Sequence, residues 1–203
     1  MGRRADHTHE ELKEMAIKAG LKLIHQEGFS NFSARKVATN IGYSIGTLYN
    51  VFGGYDDLIL HINARTLDEW FEVMQAAIVS DKTKKPIHAL AKAYIEYSRT
   101  HHPQWISLFE HHIDGNKNVP EWYMPKMTRF FILVEKPLLL MLGNNTRKAK
   151  RASRVLWAGI HGICVLSHSN KLDLVDSDSP EVLANSFIDN YLAGLMAKKA
   201  GAK

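Results

Sequence analysis

Cysteine is nearly missing from this 203-residue chain, in which Cys164 stands alone. No internal disulfide can form, and such usage suits a reducing compartment. Long apolar runs are missing too. The most apolar stretch, Phe130 to Leu142, is interrupted by Glu135, Lys136 and Pro137, and it is shorter than the roughly 20 residues that cross a bilayer. Gly2-Arg3-Arg4 leads into polar residues and an amphipathic helix rather than into the apolar core of a signal peptide. A cytoplasmic protein with no membrane partner is expected. Strict alternation of apolar and polar residues is absent, as are internal repeats, so no strand pattern is available. The fold class expected is all-α. A chain of this length buries roughly 70% of its unfolded surface, enough for one or two domains.

What is there begins with a punctuated stretch from Ser33 to Tyr55. Val37, Ala38 and Ile41 lie one turn apart on a first short helix, and Leu48 and Phe52 do so on a second, so each has an apolar side to pack inward. Gly42 supplies the positive φ that stops the first helix and turns the chain. Ser44 then caps the second helix, its hydroxyl accepting from free first-turn amides. Tyr43, Ile45, Gly46, Thr47, Tyr49 and Asn50 are left facing outward. Two short helices joined in this way are the plan of a DNA-reading helix-turn-helix. Upstream, Thr8 and Glu11 form a capping box, and Leu12, Met15, Ala16, Ala19 and Leu23 recur at helical spacing until Gly28.

These residues resemble the DNA-binding domain of the TetR family of bacterial transcriptional repressors. Ala16, Ala19, Leu23 and Glu27-Gly28-Phe29 sit where that family places them, and Gly46-Thr47-Leu48-Tyr49 with Phe52 matches its recognition helix. Trp157-Ala158-Gly159-Ile160-His161-Gly162 is similar to a tryptophan-His-Gly signature in one branch of its C-terminal domains. The resemblance implies an all-helical homodimer of about nine helices. In it, residues 1–54 would grip an inverted-repeat, double-stranded DNA operator, and residues 55–203 would bind a small-molecule inducer and dimerise. Two positions depart from the pattern: Ile45 stands where the family often has Lys, and Tyr55 where it usually has Lys. Both are usual phosphate or base contacts in the family, so charge must come from Arg35 and Lys36, or from Arg3 and Arg4 of the N-terminal arm.

Charge alone would not lead to DNA. The net charge is +5, yet residues 1–60 hold seven Lys/Arg (3, 4, 13, 18, 22, 35, 36) and seven Asp/Glu (6, 10, 11, 14, 27, 56, 57). Affinity for DNA depends on the local arrangement of charge, and a shallow salt dependence is expected. The candidate DNA contacts are Ser33, Arg35, Tyr43, Ser44, Ile45, Gly46, Thr47, Tyr49, Asn50 and Tyr55. Asn50 suits a bidentate pair with adenine, Ile45 and the Thr47 methyl suit a thymine methyl, and Tyr49 holds a phosphate by family analogy. With no Lys or Arg on the recognition helix, the expected half-site is built on A·T pairs.

Downstream, a stripe of Ile59, Ile62, Thr66, Trp70, Val73 and Ala77 marks a long linking helix. Further helices follow around Ile87–Ile95, behind Pro103, up to Leu142 with Pro137 inside, from Arg147 to Leu166, and from Pro180 to near Ala197. Candidate ligand-binding residues are Tyr94, Trp105, Phe109, Trp122, Met127, Phe131 and His161, aromatic, flexible or polar side chains suited to an apolar or aromatic inducer. The last two helices carry apolar residues on more than one face, which points to burial against a second copy. The candidate dimer contacts are Leu156, Gly159, Ile163, Phe187, Ile188, Tyr191 and Leu195.

Other readings fit less well. Gly42-Tyr43-Ser44-Ile45-Gly46 has the form of a nucleophile elbow, but that elbow must follow a buried strand. No catalytic residues and no cofactor are therefore assigned. Eleven histidines, with the pairs His101-His102 and His111-His112 beside Glu110, raise a metal-responsive regulator, although adjacent helical residues point about 100° apart and rarely share one ion. No metal site is assigned. The basic run Arg147, Lys148, Lys150, Arg151 and Arg154 leaves an adaptor for an acidic protein as a further alternative.

Overall fold

In a computed structural model of the chain, residues 7–112 and 119–200 are described. Arg3 and Arg4 lie outside them. Nine α-helices and two short 3-10 turns make up the regular structure, and no strand occurs among the described residues. The helices are α1 (His9–Glu27), α2 (Ala34–Asn40), α3 (Ile45–Phe52), α4 (Tyr55–Ser80), α5 (Pro86–Thr100), α6 (His102–Glu110), α7 (Met124–Met141), α8 (Thr146–His168) and α9 (Pro180–Ala200).

Local chemistry sets most of the ends. The Thr8–Glu11 capping box starts α1, Pro103 sits in the first turn of α6, and Asn145 caps α8 by accepting from the Lys148 amide at 2.9 Å. Pro137 lies inside α7. The acidic stretch after α8 begins with a 3-10 turn, Asp173–Val175.

The chain forms two compact units. One comprises Met1–Glu69 and His101–Met124, the other Trp70–Thr100 and Pro125–Lys203. Besides the stretch 1–54 read from the sequence, the first takes in the beginning of α4 and all of α6. Buried Asn63 and Ser107 hold α4 to α6 reciprocally: the Asn63 amide donates to the Ser107 carbonyl at 3.3 Å, and the Ser107 hydroxyl donates to Asn63 Oδ1 at 3.0 Å. Parting the helices would take both of these partners from the buried Asn63 amide, whereas the Ser107 hydroxyl could still donate to the Gln104 carbonyl at 2.7 Å.

The core of this unit is Ala16, Ile17, Leu23, Ile24, Val37, Ala38, Leu48, Phe52, Leu58, Ile59 and Ile62, with Phe32. Gly20 allows α1 to lie against α4, since a Cβ there would stand 2.3 Å from Ile62 Cδ1. The expected stripe on α4 holds through Trp70, but Val73 is exposed and Met74 takes the buried position. Met74 stands four residues beyond Trp70, one turn on along the same side of the helix.

Candidate nucleic-acid interface and effector region

The motif is assembled by two serine caps and two glycine turns. Ser33 caps α2 by accepting from the Lys36 amide at 3.2 Å. Gly42, at φ 78°, ends the turn after α2, with the Tyr43 amide donating to the Ala38 carbonyl at 2.9 Å. Ser44 caps α3 through the Thr47 amide at 3.1 Å, and its oxygen lies 2.9 Å from Thr47 Oγ1. Gly53, left-handed at φ 82°, closes α3 and donates to the Tyr49 carbonyl at 2.7 Å. Ser44 is thus occupied as a helix cap, which is a different task from that of a nucleophile.

Leu48 and Phe52 turn α3 inward, as their spacing requires. The opposite side presents exposed Ile45, Gly46 and Asn50, with Tyr43, Thr47 and Tyr49 half-buried. Tyr43 is steadied from outside the motif, its hydroxyl 2.7 Å from His7 Nδ1. The His7 contact is long-range, and no spacing rule in the sequence signals it.

The two cations of α2 have different fates. Lys36 donates to the Glu27 carboxylate at 2.6 Å and to the Asn31 carbonyl at 3.0 Å. Arg35 is exposed and makes no hydrogen bond or ion pair with any of the described residues. Its charge is therefore available to a phosphate, whereas Lys36 is largely spent inside the unit. Tyr55, at the head of α4, lies 6.1 Å from the Phe32 ring and 6.2 Å from the His111 ring. Burial, with smaller contributions from Tyr49 and Asp56, raises its pKa, so the hydroxyl keeps its proton to donate. His111 packs against Phe29 and stands 3.6 Å from the Asp56 carboxylate. Burial lowers its pKa and outweighs the opposing pull of Asp56.

The expected ligand-binding residues do not form one group. Trp105 is fully buried against Phe109 at 5.1 Å, and Trp122 stacks on His61 at 4.4 Å, all within the first unit. Met127 is exposed in the second unit. Tyr94, Phe131 and His161 do come together there. The Tyr94 hydroxyl is 2.9 Å from His161 Nδ1. Trp157 stacks on His161 at 5.6 Å and meets the Phe131 ring edge-on at 5.7 Å. Trp70 lies 4.9 Å from Tyr94, and the Arg154 guanidinium covers Phe131 at 4.2 Å. Burial lowers the His161 pKa, which favours the neutral ring. Trp157 and Trp70 are the members that reasoning from sequence left out of this group. Trp157 carried a signal, since it opens the tryptophan-His-Gly run.

The expected dimer contacts need correction. Leu156 and Ile188 are buried inside the second unit itself and offer no surface to a second chain. Gly159 serves packing within the chain, because a Cβ there would stand 2.3 Å from Phe187 Cε1. Tyr191 stacks on Phe187 at 6.0 Å, and Ile163, Tyr191 and Leu195 remain half-buried. The open apolar surface of α8 and α9 consists of Val155, Trp157, Val165, Leu166, Val182 and Met196. Cys164 is buried, and burial pushes its thiol up to about 11, leaving it a weak nucleophile near neutrality.

Among the described residues, no three His, Cys, Asp or Glu side chains stand close enough together to hold a metal ion, and no helix is long and apolar enough to cross a membrane. Fold and motif together define a helical DNA-binding regulator of the helix-turn-helix class. Residues 16–62 match the model for bacterial regulatory proteins of the tetR family, and residues 87–191 match the tetracyclin repressor-like C-terminal domain. The second match alone spans half of the chain, and the chain belongs to the TetR family. An uncharacterized HTH-type transcriptional regulator of Mycobacterium tuberculosis is 23% identical over 167 residues, 82% of this chain and 75% of that protein. Among solved structures, a protein of unknown function from Rhodococcus sp. RHA1 superimposes with a TM-score of 0.69 at 16% identity, covering 96% of this chain and 98% of the other. The multidrug binding protein EbrR complexed with proflavin does so with a TM-score of 0.61 at 20% identity, over 89% and 99% of the two chains. These structures share the fold.

Proposed function

We propose that this DNA-binding transcriptional regulator is a cytoplasmic homodimeric repressor that reads an inverted-repeat operator through α3 and releases it when a small aromatic molecule binds the second unit. The observation that carries the DNA half is the outward face of α3. It offers a bidentate amide at Asn50 and apolar groups at Ile45 and Thr47, but no cation. Asn50 pairs with adenine, and Ile45 with the Thr47 methyl packs on a thymine methyl. Tyr49 and Tyr55 hold phosphates by hydrogen bonds, and Arg35 supplies charge at the helix before.

The effector half rests on the layer of Tyr94, His161, Trp157 and Phe131. Stacked rings with one neutral polar pair suit a planar aromatic ligand. EbrR, which shares this fold, is seen with proflavin. The ligand must favour the conformation that cannot hold DNA, since linkage requires unequal affinity for the two states. The open apolar surface on α8 and α9 is the part a second copy would cover.

The test is selection of bound duplexes from a randomised pool by the purified full chain at about 0.15 M salt, followed by titration of the recovered complex with planar aromatics. Enrichment of an inverted repeat with half-sites about one helical turn, or a multiple, apart and release by an aromatic compound are expected. Enrichment of a single unrepeated site would contradict the dimer, and an operator that no aromatic displaces would contradict the effector assignment.

A further inference from the structure

The reading helix α3 has no Lys or Arg, yet an imidazole stands against its entrance. His7 Nδ1 lies 2.7 Å from the Tyr43 hydroxyl, across 36 residues of sequence, and the two rings meet edge-on at 6.0 Å. Tyr43 directly precedes Ser44, the cap of α3, and so stands at the end of the helix that enters the groove. The Thr8–Glu11 capping box fixes the backbone next to His7. Both rings are half-buried, and neither belongs to the core of the first unit. The contact is one of the surface, where DNA would meet it.

The direction of the hydrogen bond decides what Tyr43 can do. A phenol has a single proton. Donated to a bare Nδ1, that proton is spent and a phosphate meets only lone pairs. When Nδ1–H donates to the phenol oxygen instead, the proton is left for the phosphate. An imidazolium allows only the second arrangement, because both of its nitrogens donate, and a hydroxyl that accepts from a cation is the stronger donor. Among the described residues, the groups that face His7 are the Tyr43 hydroxyl, from the segment before α3, and the Glu11 carboxylate of α1. Bonds from the Thr8 amide and hydroxyl hold the Glu11 carboxyl below the usual range, and the charge of His7 adds to them. Glu11 therefore favours the imidazolium, which in turn offsets a carboxylate that would repel DNA.

We infer that His7 is a positioning residue for DNA binding: in its protonated form it turns the Tyr43 hydroxyl to donate to a backbone phosphate at the start of α3, and brings to that contact the charge the helix lacks. This rests on the reading of Tyr43 as a DNA contact. A phosphate oxygen about 2.7 Å from the hydroxyl stands at most about 5.4 Å from Nδ1, close enough for its charge to favour the imidazolium. DNA binding is thereby coupled to uptake of a proton at His7. Affinity is greatest below the imidazole range and falls as pH rises through it.

Phosphate contacts carry no sequence information, so a mixed-sequence duplex serves as the probe, with the duplex recovered by selection as a second. Affinity of the full chain is followed by fluorescence anisotropy at about 0.05 M salt, where backbone contacts are strong. It should rise about tenfold per protomer from about pH 8 to about pH 6, the range in which an imidazole gains its proton. His7→Gln keeps an amide to meet the Tyr43 hydroxyl but takes up no proton, so it should bind like the parent at about pH 8 and lose most of the rise. The other histidines titrate in both proteins, and the difference between the two curves reads His7 alone. Tyr43→Phe removes the hydroxyl and should flatten the curve as well, with affinity at about pH 6 down by about tenfold. Thermal unfolding checks that each variant folds. A pH dependence that survives His7→Gln would overturn the proposal. One that survives Tyr43→Phe would overturn it too, since His7 would then act without the hydroxyl. Absence of binding to either duplex at every pH would instead overturn the reading of this face as a DNA contact, and the role of His7 with it.

Discussion

The DNA-reading face and the aromatic layer of the second unit are built in opposite ways. Ser33, Gly42, Ser44 and Gly53 lie within about 20 residues of one another, and each acts on its near neighbours through a cap or a turn. The aromatic layer draws Trp70, Tyr94, Phe131, Trp157 and His161 from four different helices. Local rules fix the first, and long-range packing fixes the second. The reading face should therefore fail residue by residue in ways a peptide chemist would foresee, whereas the second unit should fail through pairs of residues distant in sequence.

The largest expected effect tests the core that local capping serves. Phe52→Ala removes a buried ring beneath α3 and should cost about 3 to 5 kcal/mol in chemical denaturation, with operator binding lost alongside. Gly159→Val probes the long-range case. The new side chain meets the Phe187 ring, and overpacking of this kind costs about 1 to 3 kcal/mol. Phe187→Ala in the same chain should recover part of that loss, and strictly additive costs would show that the two residues do not meet.

Asn50→Ala leaves the fold alone and should lose roughly 1 to 3 kcal/mol of binding at one base-pair position. Equal loss on every sequence would instead place Asn50 on the backbone. Ser44→Ala removes the α3 cap and should cost about 1 kcal/mol of stability.

The smallest expected effect is one of pH. His111 and His161 are both held below the ordinary imidazole range by burial, so the fold disfavours their charged forms. The stability this reflects is present above about pH 6.5 and is lost as pH falls through the unfolded value toward the folded ones. The unfolding midpoint should therefore drop on acidification, and His161→Gln should make the drop shallower. An unaltered pH profile in that variant would assign the titration to other groups.

The comparison also explains what the sequence made legible. The helices and the inward residues of α2 and α3 follow from spacing and capping; of the set expected to face outward, Ile45, Gly46 and Asn50 are exposed, whereas Tyr43, Thr47 and Tyr49 are half-buried and Tyr49 packs against the core. The role of Lys36 was not legible, because Glu27 meets it only after the chain folds back through the turn between α1 and α2. α6 joins the first unit through Asn63 and Ser107, 44 residues apart, which no local pattern links. Tyr94 and His161, 67 residues apart, were candidates by residue type alone. Leu156 and Ile188 show the remaining limit: apolar spacing marks a buried face, but does not tell burial within a chain from burial between two.

In the proposed mode of binding, α3 reads bases through polar and apolar groups, with few cations holding phosphate. Affinity of the full chain for its selected operator across a range of salt concentrations tests this most directly, since each neutralised phosphate adds about 0.9 to the log–log slope. A shallow slope, corresponding to fewer than about eight phosphates per dimer-bound site, is the predicted result. A slope of about eight or more would mean that cations carry the binding, and would contradict the account.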